Sequence, residues 1–365
     1  YIMKNILFIL HLPPPVHGSS VMGQYIRKSN LINKTFKCRY IILGTSADFS
    51  EIGKFQIQKV FKYIFIIFSS IRNLLFHRPD ICYFAITVKG LAFYKDLIIV
   101  ILFKCFGVKL IYHLHNKGVS ICKDKAIYNF FYKLVFNNAE VILLSKNLYQ
   151  DIDKYVPYNS IYICPNGIPS NNYSSERILT YKKKINILFY SNLYRSKGVY
   201  VLLNALKVLK KKGIPFQGTF AGGFGDITGE QFQNKLIDCN IDNNVIYIGE
   251  INENDKRSMF INADIFAFPT YFETFGLVNI EAMKYGLPVI STFEGGIPDI
   301  IEDGKTGFLI PKHEVNSLAD KLEILIKNNE LRKSMGMKGR LRFERNFTLQ
   351  KFENRMNIIL LKCCK

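Results

Sequence analysis

Acidic residues are scarce in this sequence: 29 Asp and Glu stand against 49 Lys and Arg, a formal charge of +20. That surplus sets up a positive field favouring polyanions, anionic lipid headgroups or phosphorylated small molecules, and by itself does not choose among them. Nucleic acid is set aside as a partner because no zinc finger, helix-turn-helix or aromatic-basic strand signature is legible. No C-x-x-C pair occurs. The eight cysteines (Cys38, Cys82, Cys105, Cys122, Cys164, Cys239, Cys363, Cys364) are irregularly spaced, mostly within apolar runs, as expected of reduced core thiols in a cytoplasmic protein. No Pro/Gly-rich or Gln-rich tract and no internal repeat is present, which excludes a disordered or solenoid chain. The opening YIMKNILFILHLPPP has no small-residue cleavage site after its apolar run, so a first buried strand is expected there rather than a signal peptide.

Uninterrupted apolar runs of the roughly 20 residues needed to span a membrane are also missing. Lys62 and Arg72 break VFKYIFIIFSSIRNLLF, and Lys104, Gly107 and Lys109 divide DLIIVILFKCFGVKLIYHLH into a helix and a strand. Both stretches are expected as buried or partly buried elements of an α/β domain. The Phe, Ile, Lys and Arg crowded into residues 54–109 also suit a domain that rests on an anionic membrane surface.

What is present is enough apolar sequence, 48% over 365 residues, for two domains of about 150 residues each. Residues 4–10 (KNILFIL) predict a strand, HLPPPVHGSS a loop and VMGQYIRKSNLI a helix; residues 184–190 (KINILFY), SNLYRSKG and VYVLLNALKVLKKKG repeat that plan. Strand, turn and helix in this order build doubly wound nucleotide-binding sheets. Further strands are predicted at DICYFAI, KLIYHLH, EVILLS and SIYICPNG, then at FQGTFAGG, NVIYIG, DIFAFPT, LPVIST and TGFLIP. The polar stretch PNGIPSNNYSSERILTYKKK predicts a linker. The expected organisation is α/β with two Rossmann-like doubly wound parallel sheets facing across a cleft: residues 1–170, residues 171–348, and a last helix over 349–365 that crosses back to the first domain. Ligands of such sheets lie beyond the carboxyl ends of the strands, so the cleft loops should carry the site.

One such loop is in FETFGLVNIEAM. Glu273 precedes a helix that starts near Gly276 and is stopped by Gly286 and Pro288. The amides of Thr274, Phe275, Gly276 and Leu277 form the positive end of that helix, which suits a phosphate. Glu281 lies about 1.4 turns further on and reaches back toward the same end. A nucleoside-diphosphate sugar fits this arrangement: diphosphate on the amides, ribose diol on Glu281, sugar hydroxyls on Glu273. By spacing alone, a loop carboxylate and a solvated helix face explain the pair equally well.

The longer stretch FAFPTYFETFGLVNIEAMKYGLPVISTFEGGIPDIIEDGKTGFLIP resembles the donor-site signature of the retaining GT-B glycosyltransferases of family 4, whose E-x7-E pair falls on Glu273 and Glu281. SNLYRSKGVYVLLNAL is similar to that family's phosphate-binding turn, which implies that Lys197 meets the donor diphosphate. Many relatives carry an Arg five residues earlier; this chain has Asn192 there, with Arg195 nearby. KLIYHLHN resembles the strand whose terminal histidine faces the donor sugar, which places that role on His115. His113 shares that side of the strand, so strand geometry leaves both open. Gly18 and Ser19 match the first-domain loop that approaches donor phosphate or acceptor. Gly223, Gly249 and Glu250 match strand ends that cradle the base. Asn166-Gly167 resembles the turn before the family's linker and is expected to be structural.

The resemblance implies transfer of a hexose-type sugar with retention, without a cofactor or bound metal. The diphosphate charge would be met by Lys197, Arg195 and the amides of Phe275 to Leu277. Expected partners are a nucleotide sugar, a glycan or polyprenyl-diphosphate-linked acceptor of capsule, O-antigen, lipopolysaccharide or exopolysaccharide assembly, and the inner face of the cytoplasmic membrane. The alternatives are a GT-B phosphorylase, a nucleotide-sugar epimerase, or a noncatalytic nucleotide-sugar-binding protein. Asp151 and Asp153 have the D-x-D spacing of metal-dependent transferases but are expected on a solvated helix face of the first domain.

Overall fold

Buried β-branched and aromatic runs need both of their faces covered, and the chain meets that need twice. The computed structural model describes residues 3–44, 57–170 and 184–364; residues 171–183, most of the expected linker, fall outside them. The chain divides into two compact units, residues 1–167 with 349–365 and residues 168–348.

In the first unit, β1 (Asn5–Leu10), α1 (Gly18–Lys28), α2 (Asn30–Thr35), β2 (Lys37–Ile42), α3 (Ile57–His77), β3 (Ile81–Phe84), α4 (Gly90–Cys105), β4 (Lys109–Leu114), α5 (Val119–Cys122), α6 (Ala126–Phe136), β5 (Glu140–Leu143) and β6 (Ile161–Ile163) follow in order. Their six strands form one parallel sheet, β2-β1-β3-β4-β5-β6. The second unit runs β7 (Ile185–Tyr190), α7 (Val199–Lys211), β8 (Phe216–Ala221), α8 (Gly229–Asp238), β9 (Val245–Tyr247), α9 (Glu253–Asn262), β10 (Ile265–Phe268), α10 (Leu277–Lys284), β11 (Val289–Thr292), α11 (Ile297–Ile300), β12 (Gly307–Ile310), α12 (Val315–Lys327) and α13 (Asn329–Asn346). Its sheet is also parallel, β12-β11-β10-β7-β8-β9. Every residue of β3, β10, β11 and β12 is buried, the pattern of strands covered by helices on both faces.

The last helix, α14 (Leu349–Cys363), joins the first unit. Phe352, Met356 and Leu360, spaced four apart and therefore on one helical face, enter a core with Phe8, Tyr83, Ile111 and Ile142. Burying each such side chain is worth about 1.5–3 kcal/mol, so α14 is part of that core.

Two expectations are corrected. The helix foreseen over VMGQYIRKSNLI is two helices, because the Ser29 side chain accepts a hydrogen bond from the Ile32 amide and caps α2. VFKYIFIIFSSIRNLLF is partly buried, as expected, along one side of α3: Ile66, Ser70 and Leu74 face inward, while Phe61, Phe65, Phe68 and Phe76 are exposed. Asp151 is not on a solvated face. Its carboxylate accepts from the amides of Gly118, Val119 and Ser120 and from the Ser120 hydroxyl, at 2.6–3.1 Å, and so holds the start of α5.

Strand order fixes where ligands are received. In the second unit the order runs outward in opposite directions from the neighbours β7 and β10. In the first, the same reversal falls between β1 and β3. The loops leaving these pairs flank the topological switch points of the two sheets.

Candidate functional site

In the second unit the loops after β7 and β10 are interlocked. The Thr270 hydroxyl (3.0 Å) and the Tyr271 amide (2.9 Å) both donate to the Ser196 carbonyl. Gly198, at φ 81°, sits so close that a Cβ there would lie 2.1 Å from the Pro269 carbonyl oxygen. Only glycine supplies that conformation without a steric penalty. This contact delivers Lys197 to Glu273 across 76 residues of sequence: Nζ lies 2.8 Å from Oε2 and 3.3 Å from the Phe272 carbonyl. Both side chains are largely buried, at 23% and 20% exposure, so the pair is less screened than a surface ion pair.

Glu273 is held at two further points. Its Oε1 accepts from the Thr274 amide at 2.8 Å, and its own amide donates to Glu294 Oε1 at 3.3 Å. Glu294 is buried and paired with Lys312 at 3.0 Å. The Thr274 amide is thus already engaged, which narrows the expected set of phosphate donors to Phe275, Gly276 and Leu277. The helix beyond starts without a side-chain cap, leaving the partial positive charge of its N-terminus for something else. Gly276 is favoured there by its left-handed φ of 86°, and a Cβ would also lie 2.6 Å from the side-chain Nδ2 of Asn279. Asn279 is fully buried and neither polar atom of its side chain finds a hydrogen-bond partner. Glu281 meets Lys256 of α9, with Nζ 2.6 Å from Oε1, and Lys256 lies over the Tyr190 ring.

Asn192, Gly223, Gly249 and Glu250 also gather. The Gly223 amide donates to Asn192 Oδ1 at 3.1 Å, the Gly222 amide to the Gly249 carbonyl at 2.8 Å, and Glu250 packs against Gly223 so closely that a Cβ there would meet its carboxylate. Asn192 therefore ties two loops together. Arg195 is exposed; its backbone amide donates to Asp226 and its guanidinium lies over Tyr200, 5.3 Å from the ring centre.

Gly18, Ser19 and His115 belong to the first unit. Gly18 and Ser19 open α1, where His17 Nδ1 accepts from the Ser20 amide and the Ser20 hydroxyl accepts from the His17 amide. The structure separates the two strand histidines. His113 is fully buried and bonded to the Tyr83 hydroxyl, whereas His115, just past β4, keeps partial access to solvent, and their rings are 4.0 Å apart. His11 stands 5.9 Å from His17. Burial, and then neighbouring imidazoles, push these groups down: His11 to about 4, His115 to about 3, and His113 well below the ordinary range; burial alone lowers His17. The four are neutral near pH 7, when each imidazole has one accepting nitrogen.

Lys256, Asn279, Glu294 and Lys312 were not singled out in the sequence, since their partners are brought close by folding across loops. Among the described residues, no three His, Cys, Asp or Glu side chains are gathered for a metal.

Residues 172–342 match the family described as Glycosyl transferases group 1. The capsular polysaccharide biosynthesis glycosyltransferase CapM of Staphylococcus aureus is 30% identical over 174 residues, 47% of this chain and 45% of that protein; the alignment thus spans about half the length of that relative. Anabaena Alr3699/HepE, solved in complex with UDP, superposes with a TM-score of 0.77 at 18% identity, covering 99% of this chain and 100% of that one. The apo form of the lipopolysaccharide outer core galactosyltransferase WaaB gives 0.74 at 19% identity, over 99% and 100%. The chain has the GT-B fold, and its second unit contains the segment that matches glycosyl transferases group 1.

Proposed function

We propose that this chain is a retaining, metal-independent glycosyltransferase of family 4. It moves a hexose-type sugar from a nucleoside-diphosphate sugar to a glycan or polyprenyl-diphosphate-linked acceptor in the assembly of a bacterial surface polysaccharide, on the cytoplasmic side. The observation that carries the reading is the Lys197–Glu273 pair at 2.8 Å beside the uncapped start of α10. The match of residues 172–342, the capsular role in the name of CapM and the UDP held by the Anabaena protein support it.

In this reading the second unit binds the donor and the first binds the acceptor. The bond between the anomeric carbon and the diphosphate oxygen breaks as an acceptor hydroxyl attacks from the same face, and its proton leaves with the diphosphate. Negative charge grows on the departing group, where Lys197, helped by Arg195, and the amides of Phe275, Gly276 and Leu277 oppose it. Glu273, fixed by Lys197 and the Thr274 amide, orients the sugar. Glu281 takes the ribose diol, with Lys256 holding its carboxylate in place. Asn192, Gly223, Gly249 and Glu250 cradle the base.

A nucleotide-sugar panel screened by thermal shift identifies the donor, since a ligand at 100 times its dissociation constant adds about 2.7 kcal/mol. With that donor, Glu273→Gln lowers the transfer rate by about a hundredfold. Unchanged rate and donor affinity remove Glu273 from the chemistry. Release of sugar phosphate or of an epimer in place of transfer points to a phosphorylase or an epimerase, and binding without turnover to a sensor.

A further inference from the structure

Among the described residues, no element covers the outer face of α3. Phe61, Phe65, Phe68, Arg72 and Phe76 follow one another by three or four positions, and so form one stripe; the four phenylalanines are 67%, 69%, 65% and 74% exposed. Ile64 and Leu75 widen it. A contiguous apolar surface of this kind marks a place where something docks.

Charge says what. Lys62 and Arg72 are exposed on α3, which contains no Asp or Glu. On the adjoining α4, Lys95 is exposed beside Leu91 and Ile98, whereas the one acid of that helix, Asp96, is buried and accepts the Thr87 amide at 2.8 Å. The same burial pushes the Asp96 carboxyl up to about 7, and it keeps that acid off the exposed surface. A second copy would set cation against cation here. An anionic lipid surface offers headgroup charge for Lys62, Arg72 and Lys95 and an acyl boundary for the phenylalanines.

Residues 60–77 are long and apolar enough to cross a membrane by length and composition. Two observations place the helix flat instead: Ile66, Ser70 and Leu74 are buried in the first unit, and β3 begins four residues after the helix ends. We infer that α3 is a membrane-docking face, lying parallel to an anionic bilayer with Phe61, Phe65, Phe68 and Phe76 inserted at the headgroup boundary and Lys62 and Arg72 on the phosphates.

The inference is independent of the donor chemistry, so it is tested with no nucleotide sugar present. The full chain is co-sedimented with vesicles of phosphatidylcholine alone or with phosphatidylglycerol added. Binding is expected to the second and not the first, weakened about tenfold or more in Phe61→Ser/Phe65→Ser/Phe68→Ser and in Lys62→Glu/Arg72→Glu. Both variants should keep the parent's melting temperature, because all five positions are exposed. Equal binding to neutral vesicles, or binding that survives either variant, overturns the inference. So does a parent that ignores vesicles but forms a dimer which the phenylalanine variant dissolves, since the face would then receive a second copy.

Discussion

Gly198→Ala tests whether the interlock between the β7 and β10 loops assembles the site. Two costs arise. An alanine at φ 81° pays about 1–2 kcal/mol for its left-handed backbone. Its Cβ would also lie 2.1 Å from the Pro269 carbonyl oxygen, so one loop must retreat by about 1 Å, a packing cost of roughly 1–3 kcal/mol. The sum is about 3 kcal/mol, or roughly 6–12 °C in Tm for a unit of this size. Gly213 provides the internal control at the other end of α7: it has φ 71° but nothing within 4 Å of its Cβ position. Gly213→Ala should therefore show the backbone cost alone, about 1–2 kcal/mol. The two variants are compared by differential scanning calorimetry, then by the stabilisation each gains from the donor found in the panel. Gly198→Ala should melt lower than Gly213→Ala and lose most of the donor response, because the displaced loop carries Lys197 away from Glu273. Equal melting of the two variants refutes the steric argument. A lower Tm with the donor response intact refutes the link between this contact and the site.

Two further outcomes concern the first unit. Because His11 is held down to about 4, the stabilisation it represents is complete above its unfolded value near 6.5 and is lost as pH falls through the window down to 4; at pH 5 the loss is about 2 kcal/mol. Chemical-denaturation midpoints should drop from pH 7.5 to pH 5, less so in His11→Gln, and a midpoint that stays level refutes the neutral imidazole. Asp151→Ala removes four hydrogen bonds to a carboxylate at the start of α5 and should cost about 2–3 kcal/mol by the same measurement; a change near zero would return Asp151 to the solvated role its sequence context suggests.

Strands buried on both faces were the legible part of the fold, because NILFIL, ICYF and IFAF are near-continuous apolar runs of strand length rather than of helix length. The strand β2, KCRYII, was missed. It lies at the sheet edge with Lys37 exposed and Arg39 and Tyr40 half-buried, so its pattern matches neither a buried run nor a clean alternation. The helix α3 shows the converse difficulty. Its composition announces an apolar helix, but the direction its phenylalanines face is decided by what the rest of the unit leaves uncovered. At the candidate site, Glu273, Gly276 and Glu281 could be named from their places around a strand exit and a helix start, and Lys197 from the resemblance of SNLYRSKG to a phosphate-binding turn. Lys256 and Glu294 could not: one comes from a neighbouring helix and the other from the β11 exit loop, and only folding puts them beside Glu281 and Glu273. Asp151 misled for the same reason, since its partners lie 31–33 residues away.

The return of α14 to the first unit has a consequence for how the chain matures. Synthesis delivers residues 168–348 before Phe352, Met356 and Leu360 exist, so the earlier-made portion waits, its hydrophobic interior unfinished, while the later-made portion has everything it needs. Removing residues 349–365 should therefore injure the half that was made first.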